Sequence, residues 1–453
     1  MIEICERAIN LAQRAKADSA EAFGVKCKIF TVRIVNSRIF EAKGIQDSGV
    51  GLRVIKNGGL GFSTANEFSN SSLTKIIENC LRLAKFKKLG FKYDFPSPRK
   101  SKPKVSYHKK LAELAPEEVI GLAKRMIESA TNFNTKIKDV AGTINVVEYY
   151  INLINTNGVN AKDKGTMLEA SLTSTAKDGT VAEGADSHGY RYLKDFSPEE
   201  IGKASARMAI DSLSYEKLIP KEYVLVLDPG ALVDILHFLG YLISPLYQKI
   251  YSPLLTDKLG KNVASEFLTI YDDATFAQSY GATNIDDEGM PTVKLSIVKN
   301  GLLQNFVYDS FYAAKENKKP TGNAYRAGAY FPGRTYLSEP LPLAKNLRIE
   351  IGDAKREEII QETKDGLLAM RSHYPRITNP IRGDYTTIFR QGLYRIKNGE
   401  IVGAVQKSRL IDNILSLLKR IDLIGNNLTS AGCWGHYLLV PSVRVEKARV
   451  VPV

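Results

Sequence analysis

The sequence predicts an α+β fold in which two small N-terminal helix/hairpin subdomains precede a large, mostly antiparallel β-rich C-terminal domain. The order helix, hairpins, helix occurs twice before residue 215, and short strands dominate after Pro220. Asn-Gly pairs, whose two residues accept positive φ, separate several of those strands. A chain of 453 residues also exceeds the size at which a single core stops growing, which favours several domains.

The first subdomain is predicted to span residues 1–90. Apolar residues recur at three- and four-residue spacing from Ile4 to Ala15, as in an amphipathic helix. Apolar side chains then alternate from Phe23 to Ile29, which indicates a strand with one buried face. Two further strands meet at Asn57-Gly58, and residues 71–88 form a second helical stripe that starts with serine and ends with lysine.

A basic, proline-rich linker is predicted over residues 91–115. Between Lys85 and Lys110 there are ten Lys and Arg residues but a single acid, Asp94. Three prolines in this stretch prevent regular structure. We expect a solvated connection, because a nucleic-acid-binding arm would need more arginine or aromatic residues for stacking on bases.

The second subdomain is predicted over residues 116–218. It starts with a helix that has proline in its first turn, continues with strands that turn at Asn157-Gly158 and Asp178-Gly179, and ends with another helix. It therefore repeats the plan of the first subdomain.

The C-terminal domain is predicted over residues 219–453. A short apolar strand, "EYVLVLD", leads into a helix at 230–247, and strands with turns at Asn300-Gly301 and Asn398-Gly399 follow. Two later segments read as helices, "DAKREEIIQETK" and "IDNILSLLKR". So many short strands favour a sandwich or a barrel-like domain.

Composition is that of a soluble globular protein, with 44% apolar and 25% charged residues. The net charge of +14 favours acidic partners, but solvated lysines explain it more simply, so nucleic acid is an unlikely partner. The four cysteines form no CxxC pair, which argues against a disulfide framework and favours a reducing, cytoplasmic location. No apolar stretch is long enough to predict a membrane span.

One helix raises the question of metal binding. The segment "DILHFLGYLIS" follows an apolar strand and contains His237, but a zinc-protease helix needs a second histidine and a glutamate that deprotonates the bound water. Phe238 stands where that glutamate would follow, and positions four and five on are Tyr241 and Leu242. No HExxH or HExxxH occurs in the chain.

Distant residues offer a weaker zinc hypothesis. Cys433 is a conceivable thiolate ligand, and His436 lies three residues further on. A catalytic zinc needs three protein ligands and a nearby carboxylate, so we expect His237 to be an ordinary helix residue and Cys433 a packed core residue. We therefore predict no catalytic residue and no metal site in this chain.

Paired carboxylates are a further candidate site. "IYDDAT" and "NIDDEG" each contain adjacent acids, which could bind a hard cation such as Mg²⁺. Acids are common in surface turns, which is the interpretation we favour. The chain has no GxSxG, no P-loop, and no GxGxxG opening a helix.

Four segments of the second half of the sequence occur in a recognisable order, and they begin "LVLDPGALVDILHFLGYLISPLYQKIYSP", "DDEGMPTVKLSIVKNGLLQNFVYDSF", "KPTGNAYRAG" and "GDYTTIFRQGLYRIKNGEIVGAVQKSR". Together they resemble the C-terminal domain of the TldD/PmbA family. "DSGVGLRVIKNGGLGFSTAN" is similar to that family's N-terminal hairpin, so the resemblance covers nearly the whole chain.

The resemblance implies a function. In this family the TldD-type subunit carries HExxxH and acts as a zinc metalloprotease, whereas the PmbA-type subunit, also called TldE, lacks the motif and pairs with TldD. This sequence follows the second pattern. It implies a non-catalytic subunit of a heterodimer that acts on peptides or unfolded proteins, with zinc in the partner subunit and no cofactor in this chain. Gly322, Asn323 and Arg326 in "PTGNAYRAG" are candidate substrate contacts by their place in the family motif.

Three alternatives stay open at this point. The chain could be a metallopeptidase in its own right, with an unorthodox site around His237 and Cys433. It could bind nucleic acid or modulate DNA gyrase through its positive charge. In the absence of a partner, it could also form a homodimer.

Overall fold

A computed structural model describes residues 1–100, 106–327, 334–433 and 436–453, with the main chain alone at residues 432 and 433. It confirms the predicted α+β fold. The ten helices are α1 Ile2–Arg14, α2 Asn70–Phe86, α3 Lys109–Ala112, α4 Pro116–Thr131, α5 Pro198–Asp211, α6 Pro229–Leu242, α7 Pro245–Ile250, α8 Ser310–Lys315, α9 Arg356–Gln361 and α10 Ile414–Lys419 in these described ranges. None of the described helices is long and apolar enough to cross a membrane.

The N-terminal half forms one sheet. Its strands are β1 Ser19–Val35, β2 Arg38–Lys56, β3 Gly59–Ala65, β4 Ile137–Asn155, β5 Asn160–Asp178 and β6 Thr180–Tyr190, in the order β3-β2-β1-β4-β5-β6. The predicted subdomains are therefore joined, because β1 of the first pairs with β4 of the second from Glu21↔Asn155 to Ile34↔Gly142. The turns predicted at Asn57-Gly58 and Asp178-Gly179 are confirmed, with positive φ at Asn57, Gly58 and Gly179.

Helices cover this sheet in two places. One core packs α1 and α2 against β1 and β2, around Cys5, Leu52 and Cys80. A second packs α4 and α5 against β1, β4 and β5, around Met126 and Leu168. Each helix pair buries an amphipathic stripe of the kind that the sequence predicted.

The linker prediction is wrong in part. Residues 89–100 have no regular helix or strand, as expected, but Tyr93 and Phe95 are buried in a small core with Ile55 and Leu60. The Tyr93 hydroxyl lies 3.3 Å from a guanidinium nitrogen of Arg53. The two aromatic side chains outweigh the surrounding lysines, because burying them removes a large apolar area from water. Residues 101–105 lie outside the described residues.

The described residues of the C-terminal half form three sheets. Their strands are β7 Tyr215–Glu216, β8 Lys221–Leu227, β9 Ile270–Asp273, β10 Lys294–Lys299, β11 Leu302–Leu303, β12 Ala324–Tyr325, β13 Leu341–Pro342, β14 Leu347–Ile349, β15 Asp365–Ala369, β16 His373–Asn379, β17 Asp384–Phe389, β18 Leu393–Lys397, β19 Glu400–Val405, β20 Ser408–Asn413, β21 Ile421–Ile424, β22 Thr429–Cys433, β23 His436–Val440 and β24 Val443–Pro452. The first sheet has the order β16-β17-β20-β24-β8-β15-β18-β19-β7, with β21 beside β24. The second has the order β11-β10-β9-β14-β23-β22, and the third pairs β12 with β13. Pairing is mostly antiparallel, as predicted.

Helix α6 belongs to the largest core, together with strands of both large C-terminal sheets. Pro229 stands in its first turn, and Pro245 follows its end, where it starts α7. Twelve of its fourteen residues are buried, which explains why it has almost no polar face. The predicted helix at 230–247 is therefore two helices.

Candidate functional site

The fold brings His237 of α6 next to His436 of β23. Their ring centroids are 4.8 Å apart and the planes are nearly perpendicular, at 80°. Tyr241 completes an aromatic cluster, 4.9 Å from the ring of His237 and 5.1 Å from that of His436. Sequence reasoning named both histidines but could not place them together, because nothing in their spacing reveals that β23 passes α6.

Burial keeps His436 neutral. The pKa of His436 is lowered well below its usual value, first by burial and then by the neighbouring His237 and the Lys345 ammonium. Its Nδ1 lies 3.0 Å from the carbonyl oxygen of Ala344, so Nδ1 carries the proton and donates it to that oxygen. Gly240 permits the close approach, since a Cβ there would lie 2.8 Å from Cε1 of His436.

The rest of the helix is apolar where a metalloprotease needs polar groups. Phe238 is buried and packs edge-on against Tyr385, with centroids 5.8 Å apart. Leu242 is 1% exposed within the large core. One turn before His237, the carboxylate of Asp234 accepts a hydrogen bond from the Ser372 hydroxyl.

The described residues do not fit a catalytic zinc. Among them, no group of three His, Cys, Asp or Glu side chains lies close enough to hold a metal ion. Cys433 pairs with His436 through the main chain of β22 and β23, but its side chain lies outside the described residues. His237 and His436 would supply two ligands, and among the residues whose side chains are described no third ligand or general base completes a metal-binding group with them.

The paired carboxylates are not surface turns, and that prediction is wrong. Asp286, Asp287 and Glu288 are all 0% exposed, and Asp272 and Asp273 are also buried. They lie where the C-terminal half meets the N-terminal sheet. The favoured interpretation failed because acids cost so much to bury that an isolated sequence gives no reason to expect it.

Guanidinium groups from both halves make this burial tolerable. Arg53 of β2 contacts Glu21 of β1 at 2.7 Å and Glu288 at 2.9 Å. Arg326 contacts the same Glu21 at 3.0 Å. Glu288 also accepts hydrogen bonds from the main-chain nitrogen and the hydroxyl of Ser310, at 2.8 and 2.7 Å.

A second set of ion pairs also joins the N-terminal sheet to the C-terminal half. Arg334 lies 2.6 Å from Asp287 and 3.1 Å from Asp163 of β5. Asp287 also accepts the main-chain N–H of Arg326, which joins the two sets. We call the whole group the buried ionic seam: Glu21, Arg53, Asp163, Asp286, Asp287, Glu288, Asp309, Arg326 and Arg334.

The seam holds six carboxyl groups but three guanidinium groups, an imbalance that favours the protonated form of some of the acids. Burial, and next the charge of Glu288, raise the pKa of Asp286 well above its usual value. The same two causes raise the pKa of Asp309. Nearby, burial raises the pKa of Asp272 to about 6. Protonation of Asp286 and Asp309 would reduce the excess negative charge of the seam.

The candidate substrate residues lie inside the protein. Gly322 has φ +79 and approaches the carbonyl oxygen of Pro291, Asn323 donates to the carboxylate of Asp272, and Arg326 is fully buried in the seam. Their side-chain contacts in this structure are internal. A role in contacting peptide stays a prediction.

Some seam residues gave a sequence signal that we did not use. Glu21 has the same strand parity as Phe23 and Val25, so the alternation that predicted a buried face also placed an acid on it. Arg53 is its direct cross-strand partner in the β1–β2 register. An acid and an arginine on apolar faces of two consecutive strands could have predicted this pair.

Comparisons with known proteins identify the family. A profile described as "PmbA/TldA metallopeptidase C-terminal domain" matches residues 220–452, and those of domain 1 and the central domain match 20–84 and 109–213. The chain belongs to the PmbA/TldD metallopeptidase family. The resemblance seen in the sequence is thereby confirmed.

Several relatives are similar over most of their length. An uncharacterized protein of Methanocaldococcus jannaschii is 29% identical over 82% of this chain and 83% of its own. Metalloprotease PmbA of Escherichia coli O157:H7 is 22% identical over 98% and 96%. Metalloprotease TldD homolog of Buchnera aphidicola (Acyrthosiphon pisum) is 26% identical over 87% and 82%.

Two solved structures share the fold. TldE from Thermococcus kodakarensis superposes with a TM-score of 0.89 at 21% identity, over 99% of this chain and 100% of that one. A Thermotoga maritima protein described as a candidate modulator of a DNA gyrase superposes with a TM-score of 0.86 at 25% identity, over 99% of each chain.

Proposed function

We propose that this PmbA/TldD family chain is a TldE-like, non-catalytic subunit that pairs with a TldD-like HExxxH subunit. In this proposal the zinc and the general base belong to the partner, and this chain forms part of the enclosure in which peptides or unfolded proteins are cleaved in the cytoplasm. The observation that carries the proposal is the apolar character of α6 after His237. Phe238 and Leu242 are packed in the core where a family protease has its base and second histidine.

Electrostatics supports the same conclusion. A catalytic zinc site gathers negative or neutral donors around a cation. Here the buried Lys345 ammonium acts on His436 closely enough to lower its pKa. A second positive charge beside Lys345 would be unfavourable in this interior.

The test is reconstitution with a HExxxH-bearing relative encoded in the same genome. We expect the two purified chains to form a complex, and peptide cleavage to require both. Zinc should be close to one ion per complex, and replacing the partner's HExxxH histidines should remove both the zinc and the activity. Activity that is unchanged when this chain is omitted would contradict the subunit role.

A variant of this chain separates the proposal from its rival. His237→Ala should leave zinc content and peptide cleavage by the complex unchanged, because His237 is a packing residue in this proposal. The rival is a metallopeptidase site built on the adjacent His237 and His436 rings. Stoichiometric zinc in the isolated chain, lost in His237→Ala, would establish the rival.

A further inference from the structure

The two helix layers leave part of one face of the N-terminal sheet uncovered. Gly24 of β1 lies under α1, where a Cβ would meet the Cys5 sulfur at 2.8 Å, and Phe30 packs against the core beneath α4. Between them, Lys26 and Lys28 have the same strand parity but are exposed. Gly24 and Phe30 are roughly 20 Å apart along the strand, at about 3.4 Å per residue. A gap of this order therefore separates the helix layers.

The strand register extends the uncovered face across β4 and β5. Lys26 lies directly opposite Tyr150 of β4, which lies directly opposite Lys164 of β5. In the next row, Lys28 lies opposite Glu148. Directly opposed residues of paired strands share a face of the sheet. We call this group of side chains the sheet window: Lys26, Lys28, Glu148, Tyr150, Lys162 and Lys164.

Positive charge dominates the sheet window. Its four lysines are exposed, and none of them forms an ion pair with another described residue. The carboxylate of Glu148 already accepts hydrogen bonds from the hydroxyl of Tyr150, at 2.6 Å, and from that of Tyr107, at 2.8 Å. Lysines that gather without facing acids create a positive potential, so the window favours a ligand that carries several negative charges.

An exposed aromatic ring lies in the middle of these charges. Tyr150 is 36% exposed, and its hydrogen bond to Glu148 limits its rotation. Neighbouring strands are about 4.8 Å apart, so Lys26 and Lys164 flank the ring on its two sides. Tyr107 closes one end of the window, with its ring 6.3 Å from that of Tyr150 and 4.2 Å from the Lys164 ammonium.

This alternation of lysine and tyrosine matches one class of polyanion. In single-stranded nucleic acid, a base stacks on an aromatic ring while the adjacent phosphates contact ammonium groups. A double helix keeps its bases paired and stacked inside, so it offers no base face to Tyr150. An acidic peptide supplies negative charge but no base. Single strands alone among these three use both the ring and the lysines.

We propose that the sheet window binds single-stranded nucleic acid, with one base on Tyr150 and phosphates on the four lysines. Composition made nucleic acid an unlikely partner, but composition does not show that these lysines gather around an exposed ring. The inference goes beyond the proposed function. The window lies on the helix side of the sheet, whereas Phe23 and Tyr149 on the opposite face pack against the C-terminal half.

Fluorescence anisotropy of the full chain with labelled oligothymidine and oligouridine, each of about twelve nucleotides, tests the binding. The logarithm of the affinity should fall with the logarithm of the salt concentration with a slope of about −3, since each of four phosphate contacts contributes about −0.7. Lys26→Gln and Lys164→Gln should each weaken binding and reduce the slope by about 0.7. Lys299→Gln, at an exposed lysine of β10 outside the window, should change neither. A preference for one oligonucleotide identifies the sugar that is bound.

Ring variants separate stacking from charge. Tyr150→Ala should weaken binding by at least about fivefold, whereas Tyr150→Phe, which keeps the ring and loses the hydroxyl, should bind like the wild type. An abasic oligonucleotide of the same length and poly-glutamate of the same charge should each bind at least about fivefold more weakly than oligothymidine. Absence of binding at low salt, equal affinity for poly-glutamate, or an affinity unchanged by the window variants would each overturn the proposal.

Discussion

Two interior regions of this protein differ sharply in how many charged side chains they contain. The buried ionic seam holds nine charged or titratable side chains between the N-terminal sheet and the C-terminal half, and none of them is more than 8% exposed. Helix α6, by contrast, buries twelve of its fourteen residues with little polar character. Charge in this chain is therefore used to hold two halves together, while the helix serves packing. Four predictions test this contrast, in order of decreasing effect.

Removing the central guanidinium of the seam should have the largest effect. Arg53→Ala leaves Glu21 and Glu288 buried without their main cation. We expect the free energy of unfolding to fall by about 3–5 kcal/mol, the usual cost of breaking a buried pair. Urea denaturation monitored by circular dichroism measures it. A loss below 1 kcal/mol would mean that the seam is hydrated and contributes little.

Enlarging one glycine tests how tightly α6 is packed. In Gly240→Ala the new methyl group would press on the His436 ring and lie 3.3 Å from the Ala344 carbonyl oxygen. We expect a loss of about 1–3 kcal/mol, as for other overpacked cores. Gly121→Ala in α4 is the matched control: no atom lies within 4 Å, so helix propensity should stabilise it by up to about 1 kcal/mol. Equal effects of the two changes would contradict tight packing.

Asp309 should make stability depend on pH. Because its pKa is raised on folding, the folded state binds a proton that the unfolded state releases, and stability falls as pH rises from the ordinary aspartate pKa to the raised value. Asp309→Asn mimics the protonated form and keeps the oxygen that accepts the N–H of Tyr312. No described residue hydrogen-bonds to the other oxygen.

We therefore expect Asp309→Asn to be more stable than the wild type at pH 8 by at least about 1 kcal/mol, the equivalent of one pKa unit. At a pH below the ordinary aspartate pKa the two should be equally stable, since the wild type is protonated in both states. Thermal midpoints across pH measure the difference. A variant that is less stable at pH 8 would show that Asp309 is ionised in the seam.

Removing an exposed ion pair between the N-terminal sheet and the C-terminal half should have the smallest effect on stability. Lys87 and Glu339 join the two halves at 2.9 Å, but both side chains are solvent-accessible. Lys87→Ala should change the free energy of unfolding by about 0–0.5 kcal/mol, because water screens the pair. Measuring Lys87→Ala and Arg53→Ala in one denaturation series shows whether the burial of an ion pair, rather than its position between the two halves, determines its contribution to stability. A loss of unfolding free energy close to that of Arg53→Ala would show that burial does not set the strength of these pairs.

Local patterns predicted the elements well. The alternation from Phe23 to Ile29 and the turns at Asn57-Gly58 and Asn300-Gly301 appear in the structure. Each depends on residues that are close in the chain, where periodicity and backbone preference act directly. The linker was partly wrong for the opposite reason, since Tyr93 is buried through contacts with distant residues.

The site was less predictable. The absence of HExxxH was visible in the sequence, but the contact between His237 and His436 joins residues about two hundred positions apart and depends on how β23 passes α6. The same limit applies to Arg326, a candidate substrate contact that the structure places in the seam. Long-range pairing is decided by the sum of many weak contacts, which no single motif records.

By itself, the sequence determined the fold class, the turns and the lack of a metalloprotease motif, because these depend on residue types at short spacing. Tertiary structure alone decided which acids are buried and which arginines neutralise them. Burying a carboxylate is unfavourable unless a partner stands within hydrogen-bonding distance, and that distance is set when Glu21, Arg53 and Glu288 are brought together from separate strands and halves of the chain.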